Sequence, residues 1–454
     1  MQNFLSRMKK ALTGSPDTPL VFLGNFEVED QWARGEPGLP RTSFSAGAAI
    51  VNRMDEFALL LAGEGDHVVL KEAPDDDHLA HLEELGIALP EILTAARNDP
   101  GATVTRDALA DPGLLRTLSG LAGAGALLSP HGTSEAEEEL SAAARLPLVT
   151  PSAAVCKAVN SKIYSRRLAD ETGIRQATGW TAGTLAELAD AVAAARSLLA
   201  AGRSVVAKDA FGVSGKGITV IDDERRLDRL HEMILRRARK SGDQRAALLV
   251  EEWVAKKADL NYQFTVYRDG SSHFDFVKEA ITEGGVHKGH RIPADLTPAQ
   301  VAELEETSRT LAKRLAADGF WGVVGVDAMV DPDDRLYPVI EINARNNMST
   351  YQVRMQELFM APGQVALARQ YPLRLARRLP YARLRAALDD LLLAGPGGAG
   401  LLVNNFATVN AGAGDGPFDG RLYGLLLAPD RAALAALDRE IAGRLHAETD
   451  RRPS

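Results

Sequence analysis

Apolar residues run almost unbroken through two neighbouring segments near position 330. Residues 321–330 are apolar apart from Asp327, and residues 337–344 are apolar apart from Glu341 and Asn343. Short apolar runs bounded by turn residues are typical of buried strands. We therefore predict two strands joined by a polar turn.

Alternation along the second strand predicts which side chains project together. Residues two apart in a strand point to the same face. We expect Glu341 and Asn343 to share a face with Val339, and we expect Ile340 and Ile342 to point to the other side.

The polar side chains of this strand pair indicate a cation site. A carboxylate inside an apolar strand is costly unless it is paired or binds a cation. Asp327, Glu341 and Asn343 offer the oxygens that Mg²⁺ prefers, and Mn²⁺ is a further candidate. Arg345 follows two residues after Asn343, and a guanidinium there suits a transferring phosphoryl group. The alternative is a set of polar edge-strand residues without a function.

Strand and helix patterns alternate through the first 150 residues, which predicts a small α/β unit. Asn25, Arg41 and Ser43 are candidates for substrate contact, with structural or solvent roles as the alternative. The predicted strands are 19–23 and 67–70, and the predicted helices are 3–12, 55–62 and 75–85.

The pattern after Thr150-Pro151-Ser152 changes to longer elements. We predict a helix from this boundary to Gly173, a glycine-broken loop over 281–293, and helix after Tyr351 that includes Arg369. A Gly-rich link at 394–400 precedes a small α+β tail. Further predicted strands are 204–208, 218–221, 248–254, 261–268 and 421–428, and further helices are 185–200, 296–316 and 430–446.

The turn at 209–217 lies between two predicted strands and is rich in glycine. Such a turn can bring backbone N–H groups against phosphate oxygens. It is not a P-loop, because Gly217 follows Lys216 and a strand comes next. An ordinary hairpin loop is the alternative. Lys208 ends the preceding strand.

Composition excludes several classes of protein. The net charge is −9 over 454 residues, which argues against a nucleic-acid-coating protein. Cys156 is the only cysteine, so neither an intrachain disulfide nor a cysteine metal cluster can form. No apolar run is long enough to span a bilayer, and the N-terminus does not resemble a secretory signal. We expect a cytoplasmic location, with no nucleic-acid or membrane partner.

Together these motifs resemble the ATP-grasp superfamily over roughly residues 151 to 360. Asp327 with Glu341-x-Asn343 resembles its metal-binding set, and the -EINAR- ending resembles its ligase branches. The resemblance implies a multidomain α/β and α+β chain with the ATP-grasp fold. It would have a pre-ATP-grasp α/β domain at 1–150, a nucleotide-binding and catalytic region at 151–393, and a small C-terminal α+β domain at 394–454.

The resemblance also implies roles for individual residues. ATP would be the nucleotide, and the second predicted catalytic residue besides Arg345 is Arg291, near the γ-phosphate and the carboxylate. Asp259 would meet the ribose, although most relatives have Glu at a slightly shorter spacing. The other implied nucleotide-binding residues are Lys162 and Lys208 at the phosphates, Ser214, Gly215, Lys216 and Gly217 in the phosphate loop, and Glu251, Glu252 and Val254 at the adenine.

The implied reaction joins a carboxylic acid to an amine through an acyl-phosphate, with release of ADP and phosphate. The segment -EINARNNMSTY- lacks the Pro-Gly-Met ending of D-alanine–D-alanine ligases. The tail GRLYGLLLAPD and the whole-chain layout are similar to the pheganomycin-type peptide ligases of microbial secondary metabolism. That similarity implies antibiotic-type biosynthesis from an amino-acid-like acid and an amino acid or peptide, and a homodimer is a candidate assembly.

Two alternatives stay open at this stage. One is a different ATP-grasp enzyme, such as a nucleotide-biosynthetic or acyl–thiol ligase, which would not depend on an amine for turnover. The other is a non-catalytic nucleotide-binding scaffold, which would bind nucleotide without turnover.

Overall fold

Three sheets form in this computed structural model, which describes residues 3–39, 47–212, 217–283 and 286–449. We call them the N-terminal sheet, the lid sheet and the central sheet. Arg41, Ser43, Ser214, Gly215 and Lys216 lie outside the described residues. Within the described ranges, no helix is both long and apolar enough to cross a membrane.

The N-terminal sheet is parallel, with strand order β3-β2-β1-β4. Its strands are short, and β1, β2 and β4 are largely buried, as expected when helices cover both faces. The carboxyl ends of parallel strands meet at one edge, where α/β proteins place ligands. The strands are β1 (Leu20–Leu23), β2 (His67–Leu70), β3 (Glu91–Thr94) and β4 (Leu127–Pro130). The helices are α1 (Phe4–Thr13), α2 (Val28–Trp32), α3 (Ala48–Asn52), α4 (Ala58–Leu61), α5 (Asp76–Glu84), α6 (Val104–Ala110), α7 (Pro112–Gly123) and α8 (Glu135–Ala144).

The helix predicted from residue 151 to Gly173 is two helices, α9 (Ala153–Val159) and α10 (Lys162–Thr172). Ser161 caps α10, since its side chain accepts from the backbone N–H of Ile163. Gly173 ends α10 with φ 68°, a conformation that glycine adopts without strain. Lys162 is therefore the first residue of a helix rather than an interior one.

The lid sheet is antiparallel, with strand order β5-β8-β6-β7. Its strands are β5 (Gly179–Thr184), β6 (Val205–Asp209), β7 (Ile218–Ile221) and β8 (Arg245–Glu252). The helices α11 (Leu185–Ala200) and α12 (Glu224–Ser241) contribute apolar residues to the same core cluster. The bounds of α11 and β7 match their predictions.

The central sheet has the strand order β13-β12-β9-β10-β11-β14-β16-β15, so its first strands in space carry the predicted metal residues. Its strands are β9 (Ala258–Val266), β10 (Ser272–Glu283), β11 (Val286–Ile292), β12 (Gly322–Val330), β13 (Leu336–Asn343), β14 (Val365–Leu375), β15 (Gly400–Asn405) and β16 (Phe418–Ala428). The helices are α13 (Pro298–Ala317), α14 (Thr350–Phe359), α15 (Tyr381–Leu388) and α16 (Arg431–Thr449).

Two predicted elements of this region were wrong. The segment 281–293 is not a loop, because most of it belongs to the antiparallel pair β10–β11. The helix after Tyr351 ends at Phe359, and Arg369 lies in strand β14. The arginines of β14 interrupt its apolar residues and hide the alternation of the strand. Tyr371 and other buried residues pack on one of its faces.

The predicted alternation in β13 was also wrong at Val339 and Ile340. Val339 is buried in the same core cluster as Ile342, whereas Ile340 lines a cavity. The register shifts here, and two steps along β12 correspond to four steps along β13. Pro338 lies within the shift and has no N–H for the ladder, which explains why simple alternation fails.

Candidate functional site

A cavity of about 250 Å³ lies between the lid sheet and the central sheet, and we call it the hinge cavity. Apolar side chains form much of its lining, and charged residues lie among them. Its apolar lining includes Ile218, Trp253, Val254, Leu260, Ala328, Met329 and Ile340, and its charged lining includes Lys162, Lys208, Glu251, Glu252, Lys256, Asp259, Asp327 and Glu341. An apolar slot with a few charged groups suits a flat ring that carries a charged tail.

Glu251 of β8 is held by two cations. Lys208 of β6 donates to one of its carboxylate oxygens, and Arg166 Nη1 lies 3.6 Å from the other. Arg166 also donates to the carbonyl oxygen of Ala177 at 2.6 Å. The predicted contact of Glu251 with adenine therefore competes with an ion-pair cluster, and the Lys208 ammonium lies at the cavity as predicted for a phosphate ligand.

The hinge between β8 and β9 is fixed by backbone hydrogen bonds. The N–H of Glu252 donates to the carbonyl of Thr178 at 2.7 Å, and the N–H of Trp253 donates to Ser204 at 2.9 Å. Val254 follows and lines the cavity. Glu252, Trp253 and Val254 thus line the cavity where the resemblance places adenine recognition.

Asp259 and Gly217 occupy defined positions near this cavity. The Asp259 carboxylate accepts from Lys256 and, at 2.5 Å, from Thr282 Oγ1. Gly217 has φ 77°, and a Cβ there would overlap the side chain of Asp209. The backbone at the end of the predicted phosphate loop thus requires glycine.

A second cavity of about 170 Å³ adjoins the first, and we call it the strand cavity. It lies over β9, β12 and β13, where Asp327 is opposite both Glu341 and Asn261. Asp327 accepts from Asn261 Nδ2 at 2.9 Å and from Asn343 Nδ2 at 3.3 Å. The strand register therefore brings the three predicted metal ligands together. The lining also includes Glu29, Gly212, His287, His290, Arg345, Asn347 and Met348.

The electrostatics of these strands fit a bound cation. Burial and the neighbouring Glu341 raise the pKa of Asp327 to about 6. Lys162 donates to Glu341 at 2.5 Å and to the carbonyl of Gly212 at 3.1 Å, so its ammonium joins one carboxylate to the backbone of the 209–217 turn. Across the described ranges, no group of three or more His, Cys, Asp or Glu side chains could hold a metal. The carboxylates of Asp327 and Glu341 suit a hard cation that completes its shell from water and phosphate, whereas Asn343 Oδ1 accepts from Arg345.

Arg345 is a buried cation at the strand cavity. It donates to Asn343 Oδ1 at 3.1 Å and to the carbonyl of Asn346 at 2.8 Å, and it pairs with Glu29. Its Nε has no hydrogen-bond partner among the residues that the structure describes. Burial lowers the pKa of Arg345 to about 10, so the guanidinium stays charged at neutral pH.

Three further residues of the strand cavity, His287, His290 and Asn261, are not among the predicted site residues. His287 and His290 lie with their Nε2 atoms 3.2 Å apart, and burial lowers the pKa of both. Asn261 could have been found, because Asp259, Asn261, Gln263 and Thr265 alternate with apolar residues along β9. The amide of Asn261 helps orient Asp327.

Asn25 has the structural role that was the alternative to substrate contact. Its Nδ2 donates to the carbonyl of Gly132 at 2.7 Å, and its Oδ1 accepts from the N–H of His131 at 2.9 Å. These bonds join the loops that follow β1 and β4.

Arg291 is a predicted catalytic residue that lines neither cavity. It pairs with Glu279 at 2.6 Å, and about half of its side chain is exposed. Neighbouring His290 lines the strand cavity, and adjacent strand residues point to opposite faces. Lys162, which donates to Glu341, and Arg345, which donates to Asn343, are cations that do contact the metal strands.

Comparisons with known proteins identify the domains of this chain. The family model of the Pre ATP-grasp domain matches residues 54–146, and that of the ATP-grasp domain matches residues 187–349. The [butirosin acyl-carrier protein]–L-glutamate ligase of Niallia circulans is 28% identical over 325 residues, covering 71% of each chain.

Solved structures share the fold at low identity. A biotin carboxylase–βγ-ATP complex from Campylobacter jejuni has a TM-score of 0.56 and 15% identity, covering 94% of this chain and 92% of that one. N5-carboxyaminoimidazole synthase from Aspergillus clavatus, in complex with ADP and its aminoimidazole ribonucleotide, has a TM-score of 0.52 and 14% identity, covering 94% and 99%. The predicted ATP-grasp fold with a pre-ATP-grasp domain is confirmed.

Proposed function

Because this chain belongs to the ATP-grasp superfamily of ligases, we propose that it uses ATP to join an amino-acid-like carboxylic acid to the amine of an amino acid or peptide. The observation that carries the proposal is the junction of the two cavities. The hinge cavity and the strand cavity share Gly212, His287, Asp327 and Glu341. A nucleotide whose ring lies in the apolar slot would direct its phosphates toward these carboxylates.

The proposed reaction has two steps. A carboxylate oxygen of the acid attacks the γ-phosphorus, the bond to the β,γ-bridging oxygen breaks, and ADP leaves. The amine nitrogen of the second substrate then attacks the acyl carbon, phosphate leaves with the electron pair of the C–O bond, and the nitrogen loses a proton. A carboxylate oxygen is a poor leaving group, and the first step converts it into phosphate, which leaves readily.

The residues of the chain serve these steps by charge and position. Lys208 would neutralise phosphate charge in the hinge cavity, and Lys162 would do so at the junction. Arg345 would bind the carboxylate of the acid or the transferring phosphoryl group. Mg²⁺ held by Asp327, Glu341 and Asn343 would neutralise charge on the phosphate oxygens. Closure of the lid sheet would keep water from the acyl-phosphate.

Similarity to the Niallia circulans ligase supports a role in the assembly of a secondary metabolite, including an antibiotic. The same similarity favours a second candidate function. That protein's name pairs an acyl-carrier protein with L-glutamate, so an acyl–carrier ligase is the alternative to a peptide ligase. Amine-dependent turnover would separate the two.

The test is product analysis with Mg-ATP, the twenty proteinogenic amino acids, a set of dipeptides and pantetheine as a thiol. ADP together with a condensed amide mass would support the peptide ligase. ADP with a pantetheine thioester would favour the carrier-type ligase. AMP with pyrophosphate would contradict the acyl-phosphate mechanism, and nucleotide binding without any turnover would support a scaffold.

A further inference from the structure

Glu29 enters the strand cavity from a different part of the chain than its other charged residues. It lies on α2, directly after the first strand of the N-terminal sheet, and it is 316 positions away from its partner Arg345. Helix α2 is held in place on several sides. Trp32 donates to the carbonyl of Thr133 at 2.9 Å, and Val28 and Trp32 are buried in the core cluster of the central sheet.

The loop after β4 fixes this helix further. A Cβ at Gly132 would lie 2.9 Å from Val28 and 3.2 Å from Trp32, so the backbone of the loop packs directly against α2. The Glu29 carboxylate is therefore presented to the cavity by a rigid element and is not on a loose loop. Its side chain and that of Arg345 are each 13% exposed.

The ion pair between Glu29 and Arg345 occupies the guanidinium that a substrate carboxylate would need in the strand cavity. Asp327 and Glu341 are the carboxylates that suit a cation, and Lys162 serves Glu341. Arg345 is the guanidinium that lines the cavity, and its Nε has no hydrogen-bond partner among the described residues. A substrate carboxylate that binds Arg345 would therefore have to share or replace Glu29.

Replacement leaves Glu29 as a largely buried carboxylate without its cation. Removing one partner of a buried ion pair is strongly destabilising unless another charge takes its place. An acid with an ammonium group beside its carboxylate supplies both charges at once, since its carboxylate meets Arg345 and its ammonium meets Glu29. A plain carboxylic acid supplies one of the two.

We infer that Glu29 and Arg345 together recognise an α-amino acid as the acid substrate, with Glu29 binding its ammonium group. The inference rests on the proposed function and narrows the class of acid that the strand cavity accepts. The cavity volume of about 170 Å³ has room for a small amino acid. Glu29 is thereby a specificity-determining residue, and the chemistry of phosphoryl transfer stays with the metal strands.

The test compares acids that differ only in the amino group. Protein is incubated with Mg-ATP, hydroxylamine and either the twenty proteinogenic amino acids or the matching acids without the α-amino group, such as propionate for alanine. Hydroxylamine attacks the acyl-phosphate, phosphate leaves, and the hydroxamate is identified by mass spectrometry. This small nucleophile removes any requirement for the natural amine.

Wild-type protein is expected to prefer the amino-acid pool. Glu29→Gln should reduce that preference by about tenfold to a hundredfold, the scale of one charge-assisted hydrogen bond, mainly by slowing the amino-acid reaction. Asp30→Asn is the matched control, because Asp30 is exposed on the same helix and the charge change is identical. It should keep the wild-type preference. Circular dichroism and ATP affinity report whether each variant is folded.

Each remaining outcome decides the matter. An unchanged preference in Glu29→Gln overturns the inference. An equal acceleration of the reactions with both pools also overturns it, because Glu29 would then only block access to Arg345. Equal rates with both pools in the wild type would leave the ligase proposal intact and overturn this inference alone. Absence of hydroxamate from both pools would overturn the proposed function and the inference together. If Glu29→Gln does not fold, Glu29→Asp should keep the preference and raise the KM for the amino acid.

Discussion

The hinge cavity and the strand cavity adjoin, yet they are assembled in different ways. All described residues of the hinge cavity come from positions 162 to 341, and both apolar and charged side chains line it. The strand cavity adds a carboxylate from α2, and its lining is mainly polar. The residues that neighbouring strands contribute leave motifs in the sequence, as Asp327, Glu341 and Asn343 do, whereas a carboxylate added by a distant helix leaves none.

Glu341 lines both cavities, so its substitution should have the largest effect. Glu341→Gln should reduce turnover on the order of a thousandfold, because it removes charge stabilisation worth several kcal/mol. ADP release with Mg-ATP and the acid pool measures the effect. Glu306→Gln, on the exposed side of α13, is the control and should retain activity. Full activity in Glu341→Gln, with an unchanged circular dichroism spectrum, would contradict the metal assignment.

Asn261 lines the strand cavity alone, so its substitution tests that cavity separately from the hinge cavity. Asn261→Ala should lower turnover by about tenfold to a hundredfold, since a residue that orients a metal ligand has effects of this size. ATP affinity should stay near the wild-type value, because Asn261 does not line the hinge cavity. Calorimetry and turnover are measured on the same preparation. An equal loss of turnover and of ATP affinity would show that the two cavities do not act separately.

A change confined to the hinge cavity should have the opposite profile. Lys208→Ala is expected to weaken ATP binding by about tenfold, the scale of one charged hydrogen bond. Calorimetry measures it, with Lys240→Ala at the exposed end of α12 as the control. Unchanged affinity in Lys208→Ala would count against a role at the phosphates.

Arg291 provides the smallest expected effect. Its ion pair with Glu279 is half exposed, and such pairs are worth at most about 1 kcal/mol. Arg291→Ala should therefore change turnover by no more than about fivefold, by the same principle. A loss comparable to that of Glu341→Gln would instead support the catalytic role predicted from the sequence.

The elements that the sequence predicted well have strong local signals. Helix α11 was placed within its observed bounds because a Thr184–Glu187 capping box begins it and Ala and Leu residues fill it. The strands β12 and β13 were found because their apolar runs flank a polar turn. Asp327, Glu341 and Asn343 were found because polar residues are conspicuous in such runs.

The missed features depend on tertiary structure. Strand β14 was read as helix because its arginines obscure the alternation that α16 and β16 bury. The shift at Pro338 depends on how β13 pairs with β12. Glu29 has no neighbour in the sequence that marks it as functional, since its partner Arg345 approaches only when the N-terminal sheet packs against the central one.

The C-terminal strands also have a consequence for handling this protein. Every residue of β14 pairs with β16, from Val365 opposite Ala428 to Leu375 opposite Phe418. Truncation after residue 394 would leave an eleven-residue edge with unpaired backbone groups and uncovered apolar side chains. Long apolar edges of this kind recruit strands from other molecules and aggregate. Chimeras that exchange C-terminal segments between relatives should therefore keep β14, β15 and β16 together. A junction between β14 and β16 would separate two paired strands and create a self-associating surface.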